Sequence, residues 1–418
     1  MNILITSIQH YTDRPSGSSR LAYDEARYLA AAGHRVFMLA PSVDAASPEF
    51  EQVNGLSLLR YPLRDFHLAD PRRAWGHQRA AKDAMRRHIA GGVEVVHGHA
   101  PLSYLAACEL FGNHARTFYS VHSPVSMEME ISWPRRTLAG RVRRAFGLPL
   151  VRRMERQCLV RSTAVTSDSE FTRQQLIRIH GEEVAARVRV FPGWVDLDEF
   201  RIIEDRDAAK KSLGWPLDVP VLFTLRRLVP RMGLDRLLRA VRRLRDQGQA
   251  MQVIVGGDGP LREELQQLAI SLELGDSVRF VGRVPAAELP MMYGACDAFV
   301  LPTAELECFG IIALEALACG RPVLATPVAA IPEMLRNFEP RWLARSADEN
   351  GIADVVAAFV SGKLPAHAPE ELRLRVQKLY SHDARLAELA GLVTGGDETE
   401  TDAGGTSQAA QPAHARRQ

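Results

Sequence analysis

The 418 residues are 46% hydrophobic and 24% charged, enough apolar side chain for two α/β domains of roughly 200 residues each and too much for a disordered chain. The formal net charge is only +2, so overall charge gives no ground for a nucleic-acid partner or for membrane attraction. Cys108, Cys158, Cys296, Cys308 and Cys319 are scattered without metal-ligand spacing and read as buried thiols of a reducing compartment. With no signal-peptide pattern before the first strand and no apolar run of about 18 residues, a cytoplasmic location is expected.

Asn2 to Ser7 (NILITS) reads as a strand. A loop from Ile8 to Ser19 follows, carrying Pro15 and Gly17, then an amphipathic helix from Arg20 to Ala32 and a second strand from Arg35 to Ala40. This is a βαβ unit, and its first loop faces the carboxyl edge of a parallel sheet, where ligands bind. Glu94 to His99 is a strand ending in His97 and His99. No third ligand lies near them in sequence, so packing or hydrogen bonding is expected before a metal. In Phe118 to Pro124 (FYSVHSP), His122 follows a strand and opens a loop; it is either a cleft-facing hydrogen-bonding group or a satisfied loop-end histidine.

From Arg135 to Arg161, arginines interleave with Leu138, Val142, Ala145, Phe146 and Leu148. A solvated helix face packed on the sheet is the preferred reading. The alternative is a basic amphipathic surface for an anionic acceptor or for peripheral contact with the inner face of a membrane.

A second domain opens with a strand from Val219 to Leu225. It runs into Arg226-Arg227-Leu228-Val229-Pro230-Arg231-Met232-Gly233, and a helix follows from Leu234. Guanidinium groups at a strand end suit a diphosphate bidentately. Gln252 to Gly256 is a strand ending in Gly256-Gly257-Asp258-Gly259-Pro260; with Arg262 at the third glycine position, a dinucleotide fingerprint is set aside. Val278 to Val284 (VRFVGRV) is a short strand and turn.

Ala298 to Leu301 is a buried strand. Pro302 and Thr303 break it, an acidic loop holds Glu305 and Glu307, and a helix runs from Phe309 to Cys319 with Gly320 at its end. Backbone N–H groups around Cys308 to Ile311 would point outward at the helix start and suit a phosphate. Gly310 allows close backbone approach. Glu307 and Glu315, eight residues apart, are carboxylates suited to sugar hydroxyls. Beyond Pro332 the chain is helix-rich to about Val393, and from Thr394 it is polar and expected to be disordered.

The run Glu307-Cys308-Phe309-Gly310-Ile311-Ile312-Ala313-Leu314-Glu315 resembles the E-x-F-G-x-x-x-x-E motif of family 4 retaining glycosyltransferases. The resemblance implies the α/β GT-B fold, two Rossmann-like doubly wound domains facing a cleft. It places an acceptor-side domain at 1–197, a linker at 198–218, a nucleotide-sugar domain at 219–380, a helix at 381–393 crossing back, and a disordered tail at 394–418. It puts Glu307 on the donor sugar, Glu315 on the ribose, and the backbone of Cys308, Phe309, Gly310 and Ile311 on the diphosphate. His122 resembles a family histidine beside the donor sugar, and Gly17 a Gly-rich loop near the phosphates, or else a plain loop. Gly257 would line the nucleotide pocket, and Arg283 and Val284 would meet the base.

In Arg226 to Gly233, Arg227 takes the Arg position of the family's G-R-L-x-x-x-K-G motif. Met232 stands at the Lys position, leaving neighbouring Arg231 as the candidate for the second charge. The implied reaction is retaining transfer from a UDP- or GDP-sugar to an unknown sugar, lipid-linked or small-molecule acceptor. His122, Glu307 and Arg227 are its catalytic candidates, and no metal or other cofactor is expected. A non-hydrolysing nucleotide-sugar epimerase and a non-catalytic sugar-nucleotide-binding protein remain as alternatives.

Overall fold

The computed structural model describes residues 1–14, 16–42, 44, 46–62, 71–133 and 137–395. Pro15, Arg135, Arg136 and the tail from 396 onward lie outside the described residues. The short apolar runs become two sheets. The first contains β1 (Asn2–Thr6), β2 (Arg35–Pro41), β3 (Phe50–Val53), β4 (Leu56–Tyr61), β5 (Val95–Gly98), β6 (Arg116–Val121), β7 (Ala164–Ser167) and β8 (Val188–Val190), in the order β3-β4-β2-β1-β5-β6-β7-β8. The second contains β9 (Val221–Leu225), β10 (Gln252–Gly256), β11 (Val278–Gly282), β12 (Ala298–Leu301) and β13 (Val323–Ala325), in the order β11-β10-β9-β12-β13.

All these pairings are parallel except β3 with β4. Ile3, Leu4 and Ile5 are all fully buried, as expected where helices cover both faces of a parallel sheet. The strand order turns back at β1/β5 in the first sheet and at β9/β12 in the second. Ligand crevices of doubly wound sheets open beyond the carboxyl ends of strands at such points, and here the two crevices share one cleft.

Three local outcomes differ from the sequence reading. The β3–β4 hairpin turns on Asn54 and Gly55, at φ 52° and 80°, the left-handed pair that a two-residue hairpin turn requires. The first helix spans Gly17–Ala31, because Ser16 and Ser19 form a reciprocal capping box. Gly17 is therefore its first residue and not part of a loop. In the expected linker, Arg206–Ser212 is a helix, whose Arg206 and Lys210 both meet the Asp297 carboxylate at 2.7 Å. That stretch belongs to the second domain, where Ala209 and Leu213 pack against its core.

The chain crosses between domains twice, and the crossings pair: Val195 N–H donates to the Tyr380 carbonyl and His382 N–H to the Val195 carbonyl. The His382–Thr394 helix then lies on the first domain, where Leu386, Leu389 and Val393 share a core with Ile3, Leu21 and Phe191. It includes Thr394 and stops at Gly395, at φ 81°. Across the cleft, Glu333 accepts from the N–H groups of Glu170 and Phe171 at 2.9 and 3.1 Å, at the start of the Glu170–His180 helix. A carboxylate is favoured there by the helix dipole.

Candidate active site

The cleft between the sheets measures about 990 Å³. Its walls include all of the candidate residues: Gly17, His122, Arg227, Arg231, Gly257, Arg283, Val284, Glu307, Cys308, Phe309, Gly310, Ile311 and Glu315. Two helix starts meet in it. The Ile311–Ala318 helix is capped by Gly310 at φ 92° with no side-chain cap, so its first N–H groups remain available to an anion. Gly17 faces it, and a Cβ on Gly17 would stand 3.4 Å from Ile311 Cδ1.

Within the motif the side chains divide their work. The Phe309 ring turns into the domain boundary, edge-on to Tyr380 at 5.8 Å and against Gly193. Cys308 is buried, which pushes its thiol up to about 12 and keeps it protonated. Both are left with backbone roles at the cleft. Glu307 accepts from Arg226 Nη2 at 2.8 Å. Glu315 accepts from the Tyr293 hydroxyl at 2.7 Å, and burial pushes its carboxyl up to about 7. Near neutral pH it can therefore either accept from or donate to a sugar hydroxyl.

The basic groups also divide. Arg227 and Arg283 are exposed on the cleft wall with no side-chain partner among the described residues. Arg231 donates to the Leu306 carbonyl at 2.9 Å and lies 3.5 Å from Glu128 across the cleft. Its own carbonyl accepts from Ala304 and Glu305, so it braces the acidic loop. Arg226, which sequence reasoning passed over, is buried beside Met232 and Thr303. Its signal was the doubled arginine at the end of β9, of which only the second was counted. Gly257, at φ 112°, lets β10 close on the end of β9: a Cβ there would lie 1.8 Å from the Arg226 carbonyl oxygen.

Behind His122 runs a chain of buried polar groups. His97 Nδ1 donates to Glu25 at 2.5 Å, His99 Nε2 donates to the other oxygen of Glu25 at 3.0 Å, and His99 Nδ1 lies 2.8 Å from His122 Nε2. His122 Nδ1 reaches Asp168 at 3.0 Å. The sequence reading saw no third group near the two histidines; the Gly17–Ala31 helix supplies Glu25, and the three converge closely enough to hold a metal. Their ring nitrogens already have partners, since His97 Nε2 meets Ser120.

Burial, with the charge of His97, lowers His99 to about 3, so it stays neutral. Burial pushes Glu25 up, but His97 and His99 outweigh it and hold the carboxylate at about 2. Neutral His99 gives its one N–H to Glu25 and is left to accept from His122 Nε2, an arrangement that favours the doubly protonated His122 ring. Burial opposes that charge, and Asp168 outweighs it, leaving His122 above the ordinary histidine value. Both ring nitrogens of His122 are thus engaged, and Asp168 favours its charged form. Asp168→Asn is expected to move the His122 ring titration to lower pH, followed by NMR; an unchanged titration would contradict the network.

His10 and His77 are likewise lowered by burial, each to about 4. With His99 they stay neutral in the fold while the unfolded chain takes up protons. Their contribution is complete above an ordinary pKa of about 6.5 and is lost as pH falls toward 4, by roughly 1–2 kcal/mol each at pH 5. His122, with its raised value, acts in the opposite sense and offsets part of this. Denaturant midpoints should therefore begin to drop just below pH 6.5. A midpoint flat down to pH 4.5 would count against the buried neutral histidines.

Residues 15–199 match the model of Glycosyltransferase Family 4, and residues 205–377 that of Glycosyl transferases group 1. The GDP-mannose-dependent alpha-(1-6)-phosphatidylinositol monomannoside mannosyltransferase of Mycolicibacterium smegmatis is 32% identical over 220 residues, 51% of this chain and 57% of that protein. The chain thus spans little more than half the length of that curated relative. Sucrose-phosphate synthase from Thermosynechococcus elongatus superposes with a TM-score of 0.77 at 21% identity, over 94% of this chain and 98% of that one. Anabaena Alr3699/HepE in complex with UDP-glucose superposes with a TM-score of 0.70 at 16% identity, over 94% and 100%. At these identities the superpositions speak for the fold. Two successive family matches, on two doubly wound domains around one cleft, make the chain a member of the family 4 glycosyltransferases with the GT-B fold.

Proposed function

We propose that the protein transfers a glycosyl unit from a nucleoside diphosphate-sugar to an acceptor hydroxyl, with retention at the anomeric carbon and without a metal ion. One observation carries this reading: an uncapped helix start, unpaired Arg227 and the carboxylates of Glu307 and Glu315 line a single cleft. The first two suit a diphosphate and the carboxylates suit sugar hydroxyls. Arg283 and Val284, beyond β11, supply the wall for the base. In the transfer, the bond from the anomeric carbon to the leaving phosphate oxygen breaks and the acceptor oxygen bonds on the same face. The acceptor proton passes to the leaving phosphate. His122, whose charged form Asp168 favours, is suited to stabilising negative charge near the sugar rather than to acting as the base. Preorganised positive groups meet the charge that grows on the diphosphate.

The donor is a GDP- or UDP-sugar, as the names of the M. smegmatis and Anabaena proteins indicate for those proteins. The acceptor sits at an anionic membrane surface. Leu138, Val142 and Phe146 recur every fourth residue and are 77%, 49% and 78% exposed, with exposed Arg141, Arg143, Arg152 and Arg153 beside them. The adjoining Val125–Ser132 helix lines the cleft through Val125 and Glu128. No helix of the described residues is long and apolar enough to cross a membrane; the proposed contact is peripheral, through this exposed face. Leu138→Glu/Phe146→Glu should abolish sedimentation with vesicles containing anionic lipid and leave nucleotide binding unchanged. Unaltered sedimentation would remove the membrane role.

The reaction itself is tested by incubating the protein with labelled GDP- and UDP-sugars and a membrane lipid extract, then determining the anomer formed. A product with the donor's anomeric configuration is expected. An epimerised nucleotide-sugar released without acceptor, or an inverted product, would overturn the reading.

A further inference from the structure

We infer that Arg226 is the second cation of the donor diphosphate site, with Met232 as its bed. This rests on the proposed function. In the pattern that Arg226 to Gly233 resembles, Gly stands where this chain has Arg226 and Lys where it has Met232. The structure joins the two departures. Arg226 turns inward from the end of β9 until it is 6% exposed, and its Nη2 lies against the Met232 sulfur. The guanidinium therefore lies alongside the outer half of the residue 232 side chain, in the region a longer basic side chain from that position would enter.

The same Nη2 donates to Thr303 Oγ1 at 3.1 Å and to Glu307 Oε2 at 2.8 Å. These contacts fix the plane of the group without satisfying all of it. Arg226 Nε is buried with no acceptor among the described residues, and the side chain lies on the cleft wall. Nε is enclosed, so an anionic oxygen entering the cleft would meet the guanidinium at Nη1, which has no acceptor among the described residues and is not enclosed. Arg231 is turned toward the acidic loop, donating to the Leu306 carbonyl at 2.9 Å and lying 3.5 Å from Glu128. Met232 contributes an unbranched, polarizable surface that lets the guanidinium lie flat. Glu307 consequently has two duties, orienting Arg226 and accepting from a sugar hydroxyl.

Three variants test this: Arg226→Ala, Met232→Lys, and the double Arg226→Gly/Met232→Lys. Each is titrated calorimetrically with GDP and UDP, and its melting temperature is recorded. Arg226→Ala should weaken binding of the preferred nucleotide by about 10- to 100-fold. Met232→Lys alone should also bind worse, because two cations then contend for one hole beside a single Glu307. The double variant should regain binding to within about tenfold of wild type, a rescue that a merely structural arginine would not allow.

Unchanged affinity in Arg226→Ala, or a double variant no better than Arg226→Ala, overturns the assignment while leaving the transferase reading in place. A wild-type protein that binds neither nucleotide overturns both.

Discussion

Arg227→Ala is expected to lose about two orders of magnitude in kcat/KM for sugar transfer while melting at the wild-type temperature. The side chain is exposed on the cleft wall and has no partner among the described residues. Exposed substitutions of that kind usually change stability by within about 0.5 kcal/mol. Its contribution lies with the diphosphate, whose negative charge grows as the glycosyl bond breaks. A hundredfold loss corresponds to about 2.7 kcal/mol, which is reasonable for one charged, bidentate contact in a partly dry site. Because the charge is largest in the transition state, kcat should fall further than donor affinity. A variant that lost activity only by unfolding would contradict this, as would one that kept full turnover.

Gly257→Ala should have the largest effect on stability, on the order of 3–5 kcal/mol. Two costs combine. At φ 112° an alanine is strained, and its Cβ would stand 1.8 Å from the Arg226 carbonyl oxygen. Backbone cannot step aside as a side chain can, so β9 and β10 would have to separate at their carboxyl ends. There Arg226 N–H donates to the Gly256 carbonyl, and Gly257 N–H to that of Gly282. Donor binding should fail with the strand ends. Gly310→Ala is the contrast: at φ 92°, with nothing nearer than 3.7 Å, it carries only the backbone strain, about 1–2 kcal/mol. Urea midpoints of the two variants make the comparison, and a Gly257→Ala midpoint as high as that of Gly310→Ala would contradict the clash.

The strands were legible in the sequence wherever both faces are buried, because a continuous apolar run bounded by turn residues has few other uses. The Asn54-Gly55 hairpin was equally legible, since that pair is a strong turn signal, but it was not read. The Glu307–Glu315 stretch could be recognised because its groups are contiguous along one loop and helix. The apolar periodicity alone starts the first helix at Arg20, and the Ser16–Ser19 cap carries it three residues earlier, to Gly17.

What depends on tertiary contact was not legible. Glu25 meets His97 across 72 positions and Arg226 meets Glu307 across 81. No local pattern announces that a histidine at a strand end will meet an aspartate 46 residues on, or that an arginine will lie on a methionine six residues on. The two-histidine strand looked poor in ligands only because its carboxylate comes from another helix.

The most direct test is a calorimetric titration of the intact protein with UDP, GDP and ADP in the presence of EDTA, repeated on Arg227→Ala. One nucleoside diphosphate should bind with the metal removed, and the same nucleotide should bind the variant more weakly, by up to about tenfold. Binding that appears only when a divalent cation is restored, or none of the three binding at all, would contradict an arginine and helix-terminus site for the donor.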